Sequence, residues 1–289
     1  MRYINKIKFI IISAGAIATN LYAADPRTLE GSGISYAAPA QPDLAAVDTG
    51  PDPAATTYTQ DSMAAMTADQ LDVIYARLTS GPIPQGFFTG KVMIPQDRGL
   101  EVVKPILGFA ASTEMVKKFS EQLWSGKFFD RDRRFLQNRV NLDGGLIGLP
   151  VPKKVNDANM LFPAKVYCGQ SLFDSRRESI IIDYKYGEAD WPKDLPSGWL
   201  TEAERKGLNW IAGPKGVLVR DEIRMVNPGL YLGRAYMQGV FGLYFILKYA
   251  PESGGTDPNA LVQRYGDECW IGHQRQKQLG KKQSDYVNN

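Results

Sequence analysis

Three consecutive β-strand patterns in the last third of the chain constrain the fold more than any other feature. The strands are predicted at residues 217–226, 230–237 and 241–249, with apolar and polar side chains alternating along them. The short segments Asn227-Pro228-Gly229 and Gln238-Gly239 have the composition of hairpin turns. Because strands joined by such short turns are antiparallel neighbours, this part of the chain predicts an antiparallel meander.

Earlier segments extend the same pattern towards the N-terminus. Strands are expected at residues 87–94, 127–129, 135–140, 164–168 and 179–186. Eight or more antiparallel strands favour closure, because a barrel leaves no exposed strand edge. The predicted fold class is therefore mainly β, an antiparallel meander closed or strongly curved into a barrel. A two-sheet sandwich remains the alternative.

One or two helices are expected in the N-terminal part of the barrel domain, the second of them starting near Ser112. Thr67 and Gln70 have the spacing of a capping box, and the apolar residues that follow, Leu71, Ile74 and Leu78, fall on one helical face. The predicted barrel domain covers residues 62–250 and contains an insertion at 187–215 with three tryptophans. Residues 251–289 form a C-terminal tail.

The first 24 residues have the layout of a cleaved secretory signal. A basic start precedes an apolar run at residues 9–18, and small residues follow at Ala23 and Ala24. A run this short does not span a bilayer, which needs about 20 residues. The sequence therefore predicts a periplasmic or extracellular protein without a transmembrane segment after cleavage, with a retained N-terminal anchor as the alternative. Residues 25–61 are rich in Ala, Pro and Gly and predict a disordered leader.

The charge balance of the predicted mature chain argues against nucleic acid as a partner. The whole chain has 34 Lys and Arg residues against 31 Asp and Glu residues, and three of the basic residues belong to the signal. A chain of balanced charge lacks the basic surface on which nucleic-acid binding depends. The partner expected instead is a small hydrophobic or amphipathic molecule.

The chain has two cysteines, Cys168 and Cys269. An even number of cysteines in an exported protein predicts a disulfide, with two buried thiols as the alternative. The loop that such a bridge closes has about 100 residues, for which chain entropy gives about 4–5 kcal/mol. The bridge would hold the C-terminal tail against one mouth or one edge of the barrel.

Two charged residues interrupt apolar strand faces and are the first candidates for a binding site. Asp221 shares a face with Val219 and Ile223, and Arg234 lies between Leu232 and Tyr236. A buried charge is costly unless it is paired or lies beside a water-filled cavity. The two charges could anchor the head group of a ligand inside the barrel or form structural ion pairs there. A third alternative is a strand register that differs by one residue, which would exchange the two faces. The candidate ligand-binding residues are Asp221, Arg234, Tyr184 and Tyr236.

Catalytic motifs are sparse in this sequence. The chain has one histidine, His273, in the polar tail, and it has neither a nucleophile elbow nor a metal-binding helix motif. We therefore expect no cofactor and no metal, and catalytic residues are unknown. A hydrolase that uses carboxylates such as Asp183, Asp221 or Glu222 remains an alternative. Arg220, Glu222 and Arg224 are otherwise expected on a solvated outer face with cross-strand ion pairs.

Several segments of the chain resemble a known type of protein. These are Leu123–Asp130, Lys165–Gly169, Ser179–Tyr184, Arg220–Arg224, Pro228–Arg234, and the stretch Gly81–Pro84 with Gly86 and Gly90 after it. Together they resemble a bacterial family of largely uncharacterised secreted proteins with a lipocalin-like (calycin-type) barrel. The resemblance covers residues 67–250, and the lipocalin Gly-x-Trp signature is not reproduced. It implies the fold and a hydrophobic ligand, and it implies no catalytic residues.

The expected function is that of a periplasmic or secreted protein that binds a lipid-like or other small hydrophobic ligand. Export, the absence of catalytic motifs and the aromatic-rich strands favour this interpretation. Two alternatives remain: a cell-envelope hydrolase based on carboxylates, and a structural protein of the envelope whose barrel is filled by its own side chains. The sequence leaves the oligomeric state open.

Overall fold

The computed structural model of the protein describes residues 58–93, 124–141, 154–155, 158–173, 178–185, 218–251, 255–266, 268 and 269. The predicted signal, the leader up to residue 57, the helix expected near Ser112, the insertion at 187–215 and His273 lie outside these residues. Two helices precede the strands, α1 (Gln60–Ala64) and α2 (Ala68–Arg77), and α3 (Pro258–Tyr265) follows them. The strands are β1 (Gly86–Met93), β2 (Trp124–Asp130), β3 (Phe135–Val140), β4 (Lys154–Val155), β5 (Ala158–Gln170), β6 (Glu178–Asp183), β7 (Val219–Asn227), β8 (Leu230–Met237) and β9 (Val240–Tyr249).

Eight of these strands form a closed antiparallel barrel. The order around the sheet is β3-β2-β1-β9-β8-β7-β6-β5, and pairing of β3 with β5 closes the ring. The two-residue strand β4 pairs only with β5. The predicted antiparallel meander and its closure are therefore confirmed, and the sandwich alternative is wrong, because the last strand in the order pairs with the first.

The side chains that alternate inward along the strands fill much of the barrel. Phe88, Phe129, Ile182, Ile223 and Leu247 belong to one cluster, and each is almost inaccessible to solvent. Two glycines allow large rings to lie across the interior. A Cβ at Gly90 would collide with the Trp124 indole, and one at Gly233 would collide with the Phe245 ring. At these two positions, a ring from the neighbouring strand therefore occupies the space that a side chain would fill.

The helices α1 and α2 cover the outer face of strands β7 to β9. The Thr67 capping box predicted for α2 is present. The backbone N–H of Gln70 donates to the Thr67 hydroxyl at 3.3 Å, and the backbone N–H of Thr67 donates to Gln70 Oε1 at 2.9 Å. Leu71 and Ile74 of α2 pack against Leu232 and Ile246 in a second apolar cluster. The protein therefore has one core inside the barrel and another between the barrel wall and the helices. Helix α1 begins at Gln60, within the last two residues of the segment expected as a leader.

The C-terminal segment closes one end of the barrel. The predicted disulfide joins Cys168 of β5 to Cys269, with 5.3 Å between their Cα atoms, and the Cys269 side chain packs into the interior cluster. Glu268 beside it accepts hydrogen bonds from the Ile83 amide at 3.0 Å and from Arg131 Nη2 at 2.8 Å. We call the segment from α3 to Cys269 the strap, and the barrel end that it covers the strap end.

The other end of the barrel receives the long chain connections. Strands β1, β3 and β6 end there, and strands β2, β5 and β7 begin there, whereas a turn at Gln238-Gly239 joins β8 to β9. The three connections therefore leave and re-enter the barrel at the same end, which we call the connection end. The mouths of small barrels are common ligand sites, so this end is where a binding site is expected.

Candidate functional site

A bulge in β2 turns a lysine into the barrel. The pairing with β3 shifts between Trp124 and Gly126, where Gly126 has a φ of 142°. The extra residue places Lys127 and Phe129 on the inner face together with Trp124. The Lys127 side chain is consequently buried, although its residue type is rarely found inside proteins.

The Lys127 ammonium group makes three hydrogen bonds inside the barrel. It donates to Asn138 Oδ1 at 2.8 Å, to the Tyr184 hydroxyl at 2.7 Å and to Asp221 Oδ2 at 2.8 Å. The Tyr184 hydroxyl also donates to Asp221 Oδ2 at 3.2 Å. An ammonium group has three protons, so each of them has an acceptor. We call Lys127, Asn138, Tyr184 and Asp221 the interior polar cluster.

Aromatic rings surround the same ammonium group. Lys127 Nζ lies 5.3 Å from the centroid of the Phe245 ring, 5.4 Å from that of Tyr184 and 5.5 Å from that of Trp124. The Trp124 indole also donates to Asn138 Oδ1 at 2.9 Å, which fixes the amide orientation. The cation is thus held by one carboxylate and by the faces of three rings, each of which attracts positive charge.

Burial shifts the ionisation of both Lys127 and Tyr184. Loss of water lowers the pKa of Lys127, and the Asp221 carboxylate opposes that shift. Burial likewise raises the pKa of Tyr184, and Asp221 raises it further. The phenol therefore keeps its proton, while the lysine amine loses its proton more readily than in water.

Apolar side chains border this cluster at the connection end. Four side chains pack against the apolar core inside the barrel, yet each remains partly accessible to solvent: Trp124, Phe162, Val219 and Leu243. At the strap end, Ile83 and Cys269 are buried inside the barrel, and Cys168, Met225 and Tyr249 are partly accessible. The arrangement is a small apolar surface at the connection end with a hydrogen-bonded polar group beneath it.

The four candidate ligand-binding residues fall into two groups on opposite faces of the sheet. Asp221 and Tyr184 lie inside the barrel, but Arg234 and Tyr236 lie on the outer face beneath α2. The register explains this, because Asp221 pairs with Ala235 and the neighbouring Glu222 pairs with Arg234. The expectation that both charges lie inside the barrel is therefore wrong for Arg234.

The outer group forms a second buried cluster. The Arg234 guanidinium is paired with the Asp72 carboxylate of α2 and bonds the Tyr236 and Tyr244 hydroxyls at 3.0 and 3.1 Å. Five rings surround it, with centroids 4.1–5.8 Å away, from Phe173, Tyr75, Tyr236, Phe241 and Tyr244. This cluster joins α2 to the barrel wall.

The predicted solvated face of β7 is also different from expectation. Glu222 and Arg224 are fully buried, because α2 and the chain after β5 cover that face. Glu222 accepts from the Ser171 hydroxyl at 2.6 Å and the Leu172 amide at 2.8 Å. Arg224 donates to the Ser179 hydroxyl and the Tyr75 carbonyl. Arg220 is partly exposed, and its ion pair with Glu222 is within the strand rather than across strands.

Sequence reasoning missed Lys127, Asn138 and Asp72. The signal for Asn138 was present, because it alternates with Leu136 and Val140 in the same way that Asp221 alternates with apolar neighbours. Lys127 alternates with Phe129, but the bulge hides it from a period-2 count that starts at Trp124. Asp72 follows Leu71 within the apolar face of α2, where it is 3% exposed.

The described residues contain neither a cluster of metal ligands nor a helix that could cross a membrane. Within them, no group of three or more His, Cys, Asp or Glu side chains is arranged to hold a metal ion. The described helices are also too short and too polar to cross a membrane.

The chain was compared with known proteins. No family model matches it, and no curated protein is significantly similar to it. Among solved structures, it is similar to a protein from Thermomonospora curvata, with 14% sequence identity and a TM-score of 0.34. The match covers 64% of this chain and 88% of that protein.

Proposed function

We propose that the protein is an exported barrel that binds a small, mostly apolar ligand at its connection end. The observation that carries this proposal is the partly exposed apolar surface of Trp124, Phe162, Val219 and Leu243. Ligand sites are typically apolar with a few fixed polar groups. The interior polar cluster directly beneath this surface supplies such groups.

The chemistry of the site favours an amphipathic ligand over a purely hydrocarbon one. Asp221 and Tyr184 offer an acceptor and a hydroxyl, and Lys127 carries the positive charge. A ligand with one polar end would exchange hydrogen bonds with these groups and pack its apolar part on the rings. Arg234 and Tyr236, on the outer face beneath α2, would support the barrel wall rather than touch this ligand.

Binding is tested with native mass spectrometry after mild purification and with fluorescence titration against a panel of fatty acids, alcohols and aldehydes. Leu243→Trp would fill the apolar surface and abolish saturable binding. Leu172→Trp is the matched control, because Leu172 is 51% exposed on the outside of the barrel. The absence of saturable uptake by the unmodified protein across the panel would contradict the proposal.

A structural role without a ligand is the second candidate. The rings of Trp124 and Phe245, packed over Gly90 and Gly233, favour it because they occupy the middle of the barrel. Under this alternative, Leu243→Trp would lower stability and would leave ligand uptake at zero in both proteins. A carboxylate hydrolase has less support, because Glu222 faces away from Asp221 across the sheet.

A further inference from the structure

The interior polar cluster combines an amine, a carboxylate and a phenol within hydrogen-bond distance of one another. We propose that Lys127 forms an imine with the aldehyde or ketone group of an apolar ligand. This inference rests on the proposed binding function and assigns the ligand a chemical class. The structure supports it by the position of Lys127 Nζ, 2.8 Å from Asp221 Oδ2 and 2.7 Å from the Tyr184 hydroxyl.

The surroundings of Lys127 favour nucleophilic chemistry at the amine. A lysine acts as a nucleophile when it is desolvated in an apolar pocket, because the neutral amine then becomes accessible. The Lys127 side chain is buried among the rings of Phe245, Tyr184 and Trp124. Lys127 is buried, whereas Lys91 and Lys248 are exposed.

Each step of imine formation has a group in place. The ammonium of Lys127 first passes a proton to Asp221, and the neutral amine then attacks the carbonyl carbon. The new C–N bond forms as the carbonyl π electrons move to oxygen, where the Tyr184 hydroxyl donates a hydrogen bond. The nitrogen then gives a proton to that oxygen, which produces a carbinolamine.

The second half of the reaction releases water. Asp221 returns its proton to the carbinolamine hydroxyl, the C–O bond breaks, and the nitrogen lone pair forms the C=N bond. The products are a protonated imine and one water molecule, so no oxidant, reductant or net proton is needed. Asp221 is again a carboxylate and balances the charge of the imine, as it balances that of Lys127 in the free protein.

The imine is tested by trapping it in the full protein. The protein is incubated with decanal, reduced with sodium cyanoborohydride and mapped by peptide mass spectrometry. We expect at least about tenfold more decyl adduct on Lys127 than on Lys91, because a held aldehyde has a high effective concentration at the amine. Decanol, which has no carbonyl group, should compete for the site and reduce the adduct on Lys127 alone.

Two variants separate the specific reaction from surface modification. Lys127→Arg keeps the positive charge but cannot form an imine, so the saturable adduct should be lost. Lys91→Arg, a substitution at an exposed lysine, should leave it unchanged. If Lys127→Arg does not fold, the peptide map of the unmodified protein decides the question without it.

The outcomes distinguish this inference from the function on which it rests. Saturable decanol binding without an adduct on Lys127 would overturn the imine and leave the proposed binding function in place. An adduct spread over Lys91 and Lys248 with none on Lys127 would also overturn it. If decanal neither bound nor left an adduct on Lys127, the imine would be overturned, and the binding function would fail with it only if the whole panel showed no saturable uptake.

Discussion

A lysine and an aspartate buried in the same barrel depend on each other at the residue scale. Lys127 is 2% exposed and Asp221 is 4% exposed, and their ion pair has an N···O distance of 2.8 Å. Burial of either charge alone is strongly unfavourable, whereas a buried pair is near neutral in its net contribution to stability. The intact pair is therefore expected to add little net stability to the fold.

This dependence gives a prediction for stability. Asp221→Ala should lower the free energy of unfolding by about 3–5 kcal/mol, because it leaves the Lys127 charge buried without its carboxylate. The double variant Lys127→Met with Asp221→Leu should recover most of this loss, since apolar residues of similar size replace the whole pair. Denaturant unfolding monitored by circular dichroism measures both.

The control for this prediction is an exposed pair. Asp61→Ala removes the ion pair with Lys91, whose side chains are 95% and 47% exposed, and should change stability by less than about 1 kcal/mol. Equal effects of Asp221→Ala and Asp61→Ala would mean that the interior pair is not desolvated.

A buried tyrosine gives a prediction for alkaline pH. Burial raises the pKa of Tyr236 to about 12, with the nearby Arg234 opposing the shift. The unfolded chain has a tyrosine pKa of about 10. Above that pH the unfolded state loses the proton first, so the stabilisation is complete below pH 10 and is lost as the pH rises through about 12.

The matching variant is Tyr236→Phe, which removes one titrating group. Between pH 10 and pH 12, the free energy of unfolding of the unmodified protein should fall, and Tyr236 should contribute about 1.4 kcal/mol per pH unit to this fall. The variant should show a smaller slope. Tyr75, Tyr184 and Tyr231 have raised pKa values and contribute with the same sign. An identical slope in both proteins from pH 10 to pH 12 would contradict the assignment to Tyr236.

Alternation of polar and apolar residues along a strand predicts some buried polar residues and misses others. Asp221 was found from its apolar neighbours, because β7 is regular from Val219 to Met225. Lys127 was not found, because the bulge at Gly126 shifts the count by one residue, and a shift of one exchanges the two faces of a strand. The position of a bulge depends on pairing with the neighbouring strand, and the sequence of one strand alone does not determine that pairing.

At the scale of elements, helix α2 explains why the outer face of the barrel is not a solvent surface. The capping box and the apolar spacing predicted where the helix lies in the chain. They did not predict the face on which it packs, because that face is formed by residues about 150 positions later, such as Arg224 and Arg234. The charges of Glu222 and Arg224 therefore looked solvated in the sequence but are covered by a distant segment.

The attachment of helix α2 to the barrel wall should depend on the Asp72 carboxylate. Asp72→Ala removes the partner of the Arg234 guanidinium and should lower the free energy of unfolding by about 3–5 kcal/mol, because a buried charge is left uncompensated. Hydrogen exchange should then quicken most in α2, since its amides lose their attachment to the barrel. Asp69→Ala, at an exposed position in the same helix, is the control and should have a small effect. Uniform quickening over α2 and β8 would indicate global destabilisation and not detachment of the helix.

At the scale of the whole molecule, the two barrel ends differ in how they are closed. The strap connects the C-terminal end of the described residues to earlier parts of the barrel. Cys269 is bonded to Cys168, 101 residues away, and Glu268 bonds Arg131 and the Ile83 amide. The Arg131 guanidinium also lies 3.6 Å from the centre of the Tyr265 ring of α3. Compartment and cysteine number predicted the bridge, but the ion pairs around it depend on the β2–β3 turn and were not foreseen.

Loss of the disulfide should therefore separate the strap from the barrel. Chain entropy gives about 4–5 kcal/mol for a loop of about 100 residues, so Cys269→Ser should lower stability by an amount of this order. We expect the barrel to stay folded, because its strands pair without the strap, while α3 becomes open to proteolysis. Limited trypsin digestion of Cys269→Ser should then give a new cut after Arg264, as read by mass spectrometry.

Glu268→Gln is the control for the disulfide, because it weakens the ion pairs but keeps the bridge, and it should protect Arg264 much better than Cys269→Ser does. Two alkylatable thiols in the oxidised native protein, or the same digestion pattern with and without the bridge, would show that the strap does not depend on it.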